Sequence, residues 1–220
     1  MKMSKYKGRC FIAGSLGTSL KHNFFFCSFL ILALSVYGQN GGDLFAKELA
    51  GAALNLTEQD VIYDPGYFVI DYPMGDVPAG RGVCTDVVIR AYRAMDIDLQ
   101  QEVHEDMLSN FELYPQIWGL NRPDPNIDHR RVPNLMKYFE RHGSEKGITG
   151  NAADYVPGDI VCWNLGGAVT HIGIISDSMS QDGSRPLVVH NIGRGQVLED
   201  CLFDYRIIGH YIYPGNKRTE

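Results

Sequence analysis

Hydrophobic and polar positions along the 220 residues follow two different rhythms, with the change near Gly143. Before it, apolar residues recur at three- and four-residue spacing, the period of a helix with one buried face. Leu44 to Leu56 predicts an amphipathic helix with Asp43 as its N-cap. A second helix over Cys84 to Met95 gathers Val87, Val88, Ala91 and Met95 on one face, and a third fits Leu99 to Phe111. A fourth runs from Pro133 to His142, opening on a proline where a missing N–H costs nothing. Between the first two helices, Val61–Tyr63 and Tyr67–Tyr72 are β-branched and aromatic, and predict paired strands around Asp64-Pro65-Gly66. After Gly143 the pattern alternates: Ile160–Asn164, His171–Ser176, Leu187–Asn191 and Ile207–Tyr213 predict short strands in an antiparallel meander. Helices first and strands afterwards give an α+β fold, with amino-terminal helices packed on an antiparallel β-sheet as one domain over 39–220.

Composition leaves that picture in place: 45% hydrophobic, 21% charged and 11% aromatic residues suit one domain with a real core. Charge adds to it at the amino end. No acidic residue precedes Asp43, whereas Lys2, Lys5, Lys7, Arg9 and Lys21 do, and an apolar run follows from Phe24 to Val36. This reads as a secretory signal peptide over 1–38 that directs export to the periplasm or beyond, with an uncleaved membrane anchor as the alternative. Removing those five positive charges would take the net charge from −6 to −11. So acidic a body argues against a nucleic-acid partner.

Three cysteines lie beyond the leader: Cys84, Cys162 and Cys201. An odd number cannot all pair within one chain. Cys162 and Cys201 sit in apolar, strand-like runs and read as buried thiols, with a disulfide between them as the alternative. No spacing resembles a zinc site, and no metal or cofactor is expected.

Cys84 stands apart, at the junction of a glycine-rich loop and a helix. Free N–H groups and the partial positive charge of a helix start favour thiolate over thiol, and could hold an oxyanion. Without function, Cys84 is a small core residue. His171 begins a strand and shares a face with Gly173, which would leave room beside an imidazole; its plainer reading is a hydrogen-bonded core histidine. The next strand ends in His190-Asn191, either of which could fix the His171 tautomer. They point to opposite faces, and His190 is the favoured one.

The order of these pieces carries a resemblance. A helix-capping Cys84, then Pro157-Gly158-Asp159-Ile160-Val161-Cys162-Trp163, then Thr170-His171-Ile172-Gly173-Ile174, resembles the NlpC/P60 superfamily. More closely, GVCTDVVIRAYR, HEDM, PDPNIDHRRVPNL, PGDIV, HIGI and LFDYRIIGHY resemble the DUF1287 family of secreted bacterial proteins, to which an NlpC/P60-like fold is ascribed. The resemblance implies a papain-like fold with Cys84 as nucleophile, His171 as base and His190 as orienting residue. Typical NlpC/P60 sequences carry Asp before the cysteine and a small pair after it. Here Val83 precedes, and Thr85-Asp86 follow.

The remaining polar cluster is Asn126 to Arg131. Asp128, His129, Arg130 and Arg131 are candidate substrate contacts, grouped with Asp86 and Asn191, because arginines could hold the carboxylate of a peptide. Their structural reading is a capping loop whose arginines pair with the acidic body. Asp159, in the Pro-Gly-Asp turn, reads as a turn-maker. Together these features predict a secreted cysteine hydrolase that cuts amide bonds, with peptidoglycan stem peptides as the substrate class by family analogy. The alternatives are a cell-wall-binding module without turnover and an acyl or amide transferase. A metal site built from Cys84, His171 and His190 stands as a more remote one.

Overall fold

The late alternating segments form one sheet because each has an apolar face to bury. Its strands are β3 (Ser144–Glu145), β4 (Ile160–Gly166), β5 (Val169–Met179), β6 (Pro186–His190), β7 (Val197–Glu199) and β8 (Arg206–Ile212). They lie in the order β3-β8-β4-β5-β6-β7, and every pairing is antiparallel. The computed structural model describes residues 42–215. The expected leader over 1–38, with Cys10 and Cys27, lies outside the described residues. No helix among them is long and apolar enough to cross a membrane.

Four helices accompany the sheet: α1 over 42–55, α2 (Cys84–Arg93), α3 (Leu99–Asn110) and α4 (Val132–His142). The helix α1 already includes residue 42, so Asp43 lies inside it rather than capping it. Val87, Val88, Ala91 and Tyr92 of α2 are wholly buried, and full burial of a valine contributes about 1.5–3 kcal/mol. Two apolar clusters form. The larger joins α2, α3 and α4 to Ile160, Cys162, Ile172, Ile174 and Val189; the smaller contains Trp163, Ile175, Val188, Cys201 and Leu202. Alternation along β4, β5 and β6 divides their residues between the two.

Further sequence expectations fail: the sheet is not a simple meander, because β8 crosses back to lie between β3 and β4. Tyr67–Tyr72 is not a strand; the real pair is β1 (Ile62–Tyr63) with β2 (Arg81–Gly82), and it is parallel. The Ile70 N–H goes instead to the side chain of Asn126, 3.0 Å away. Cys201 lies not in a strand but in the loop after β7. Cys84, Cys162 and Cys201 are all buried free thiols, so Cys162 and Cys201 are not bridged.

Candidate active site

Cys84 is the first residue of α2, and the start of that helix is fixed by charge. Val83 is extended, and its N–H donates to Asp86 Oδ2 at 2.7 Å, so the helix caps itself from its third position. Arg130 clamps the same carboxylate from the far side, with Nε at 2.9 Å from Oδ1 and Nη2 at 3.0 Å from Oδ2. It also donates to the carbonyls of Gly66 and Asp64. This buried pair joins the cysteine-bearing helix to the loop before α4.

His171 lies on strand β5, whose backbone meets Cys84, but its side chain leaves the opposite face of the sheet from the one that covers the thiol. Ile172, the next residue, directs its N–H at the Cys84 sulfur, and Thr170 borders the cleft above it. The His171 ring rests against Trp163, its cross-strand partner, on the side of the smaller cluster. Its Nε2 lies 2.8 Å from His190 Nδ1, and His190 Nε2 lies 3.0 Å from Glu199 Oε2. Among the described residues no hydrogen bond joins the Cys84 and His171 side chains, and His171 Nδ1 is unbonded.

The register explains the histidine pair. Ile174 faces Val189 across β5 and β6, which sets Gly173 beside His190. A Cβ on Gly173 would come within 2.7 Å of Val188 Cγ1 and 3.2 Å of His190 Cβ. The missing side chain therefore admits His190 and Val188, rather than leaving an empty space by His171.

Burial sets the charge state. It pushes the Cys84 thiol up to about 12, with Asp86 acting the same way and the N–H groups of Ile172, Thr85 and Cys84 opposing. Burial also holds His171 down to about 3, with a further contribution from His190. Both groups are neutral at neutral pH. The helix end does not outweigh desolvation as the sequence led us to expect.

A cleft of about 270 Å³ opens at Cys84, bordered by Tyr63, Trp118, Arg131 and Thr170. Of the six expected substrate contacts, Arg131 is the one with donors to spare there. Its guanidinium lies 4.2 Å from the Trp118 ring centroid, with Nη1 on Asp128 at 3.2 Å. Arg130 borders the cleft, but Asp86 and two carbonyls engage it. Asp86 is buried in that pair. Asp128 is buried too, raised to about 6 by desolvation, and accepts the Asp124 N–H. His129 is buried with Nδ1 unpartnered. Asn191 closes a turn through the Gly193 N–H and donates to the Gly82 carbonyl rather than meeting His171. Asp159 acts as the turn-maker, accepting the Val156 N–H at 3.0 Å and bonding His210 Nε2 at 2.6 Å.

The family described as a domain of unknown function, DUF1287, has a model that matches residues 50–213. The chain belongs to the DUF1287 family. Its relative in Escherichia coli (strain K12), the uncharacterized protein YijF, is 53% identical over 165 residues, 75% of this chain and 80% of that protein. The solved structure of NlpC1 from Trichomonas vaginalis is 16% identical with a TM-score of 0.41, covering 76% of this DUF1287 chain and 44% of that one.

Sequence reasoning missed Glu199 and Cys201 as neighbours of His190. Glu199 ends a three-residue strand, too short to register as alternation. The capping role of Asp86 did leave a signal: an acid at the third position of a helix can reach back to the N-cap N–H.

Proposed function

We propose that this DUF1287 protein is a papain-like cysteine hydrolase, exported after loss of residues 1–38, that cleaves amide bonds in peptidoglycan stem peptides. The observation that carries the reading is the alignment of Glu199, His190 and His171 through contacts of 3.0 and 2.8 Å, ending on the strand whose Ile172 N–H meets Cys84. If Glu199 accepts from His190 Nε2, then His190 Nδ1 accepts from His171 Nε2. His171 Nδ1 is thereby left free to serve as base, and the reading requires that ring to turn from the Trp163 side of β5 toward the thiol. Because both partners rest neutral, the proton passes to His171 as the sulfur attacks the carbonyl. The tetrahedral oxyanion is held by N–H groups at the start of α2, and the same proton returns to the leaving amine. Arg131, at the mouth of the cleft, suits the carboxylate of a stem peptide.

Purified protein incubated with muropeptides, and read by mass spectrometry, tests this. New amine and carboxyl ends should appear with the native chain and not with Cys84→Ala; equal cleavage by both would remove the mechanism. One observation favours a second reading, a binding module without turnover: Cys84 is 6% exposed, with its thiol held neutral. Retention of muropeptides with no cleavage would support it.

A further inference from the structure

We infer that His190, Glu199 and Cys201 form a binding site for a thiophilic divalent cation of the zinc type, on the side of His190 remote from His171. One donor atom from each of the three lies within 4.8 Å of the other two. The set is an imidazole, a carboxylate and a thiol, a combination suited to zinc. Its spacing fits as well. Zinc held by nitrogen and sulfur at their usual bond lengths in a tetrahedron separates those atoms by about 3.5 Å. His190 Nε2 and Cys201 Sγ are 3.5 Å apart, and Glu199 Oε2 is 3.0 Å from the same nitrogen. The outer shell is present: His171 holds the far nitrogen of His190, as partners of ligating histidines do. His190 and Cys201 are buried, whereas the Glu199 side chain is 32% exposed and offers the way in from solvent. Arg194 pairs with the other oxygen of Glu199 and is the one nearby cationic partner of the cluster among the described residues. Binding releases the Cys201 proton to solvent and leaves the fourth position to water.

Occupancy would regulate the proposed hydrolase, a consequence that rests on that reading. A cation on Nε2 moves the His190 proton to Nδ1, which then donates to His171 Nε2. The proton of His171 must sit on Nδ1, where it blocks transfer from Cys84. The loaded state is inactive.

The test uses the full chain, reduced, with Co²⁺ and Zn²⁺ as probes. Co²⁺ should give visible d–d bands and a near-ultraviolet thiolate charge-transfer band that Zn²⁺ abolishes at one equivalent. Cys84→Ala should keep that band and Cys201→Ser lose it. Glu199→Gln, which keeps the fold if Cys201→Ser does not, should weaken Zn²⁺ by more than the about 10–100-fold cost of an outer-shell partner. Arg194→Ala should tighten it. No band in the native chain, a band that persists in Cys201→Ser, or one that vanishes with Cys84 overturns the site. The spectrum needs no substrate, so absent hydrolysis in the metal-free protein counts against the hydrolase reading alone. Hydrolysis that Zn²⁺ leaves unchanged overturns the regulatory consequence.

Discussion

Replacing Arg130 with methionine tests what holds the cysteine-bearing helix in place. The Arg130 and Asp86 side chains are 2% and 3% exposed, so neither charge has water to fall back on. Methionine keeps most of the arginine stem and removes every guanidinium bond to Asp86, Gly66 and Asp64. Asp86 is then a buried carboxylate with the Val83 N–H as its remaining donor. Breaking a buried pair from one side costs about 3–5 kcal/mol, a large part of the roughly 5–15 kcal/mol that holds a domain together. Removing both charges together, as Arg130→Met with Asp86→Leu, leaves no stranded ion. It should cost chiefly the lost helix cap, about 1 kcal/mol, and the two carbonyl contacts. The double variant should therefore be more stable than Arg130→Met alone, with a coupling of at least about 2 kcal/mol. Urea unfolding followed by tryptophan fluorescence, with buried Trp163 as reporter, measures the native chain, Arg130→Met, Asp86→Leu and the double variant. Loss of under about 1 kcal/mol in the single variant, the scale of an exposed pair, would refute the reasoning. So would costs that simply add.

Three further outcomes follow from the site and its surroundings. Iodoacetamide should label Cys84 more slowly than an unburied cysteine at pH 7 and speed up about tenfold per pH unit toward about 12; fast labelling at pH 6 would contradict a neutral resting thiol. Gly173→Ala should crowd Val188, His190 and the Val189 carbonyl and cost about 1–3 kcal/mol, with His171 and His190 imidazole NMR shifts moving together; a native spectrum and stability would show that the strand needs no glycine. Asp106 should contribute acid-labile stability: burial tends to raise its carboxyl, but Arg141, Tyr114 and His142 hold it down to about 2. That stability is full above the ordinary carboxylate range and is lost as pH falls through about 2. Asp106→Asn should flatten the acid-unfolding curve between those limits, and an unchanged curve would discount the pairing.

What could be read from the sequence was whatever its local period determines. The helices α2, α3 and α4 each show an apolar stripe and a start signal: Cys84 after a glycine-rich loop, Asp98 capping the Gln100 N–H, and Pro133 in the first turn. The strands β4, β5 and β6 alternate and pair with near neighbours in the chain, whereas β8 alternates but pairs with the distant β3 and β4. Tyr67–Tyr72 alternates as well, yet Tyr67 and Val69 are 56% and 85% exposed. Strand preference needs a partner edge to be realised, and the edge beside Ile62–Tyr63 belongs to Arg81–Gly82. A pairing across that many residues leaves no mark in either short segment.

The same distinction governs the site. The positions of Cys84 at a helix start and His190 at a strand end were legible, whereas His171 is the third residue of β5 and alternation turns it away from the face that Cys84 occupies. Their charges were not legible, since desolvation depends on what covers a group: Cys84 reads from the sequence as a thiolate at a helix end and lies in the structure under a packed cleft. The cluster Asn126–Arg131 shows the limit most clearly. Two adjacent arginines have nothing local to separate them, yet Arg130 reaches back to Asp86 and is engaged, while Arg131 meets Trp118 at the cleft. The 3₁₀ turn Asp128–Arg130 makes that division, because the backbone leaves the turn at Arg131 and sends the two side chains apart. Lengthening or shortening the turn by one residue should therefore harm both arginines at once. It would strand the Asp86 carboxylate and move the charge at the mouth of the cleft, joining a loss of stability to a loss of any carboxylate-dependent binding.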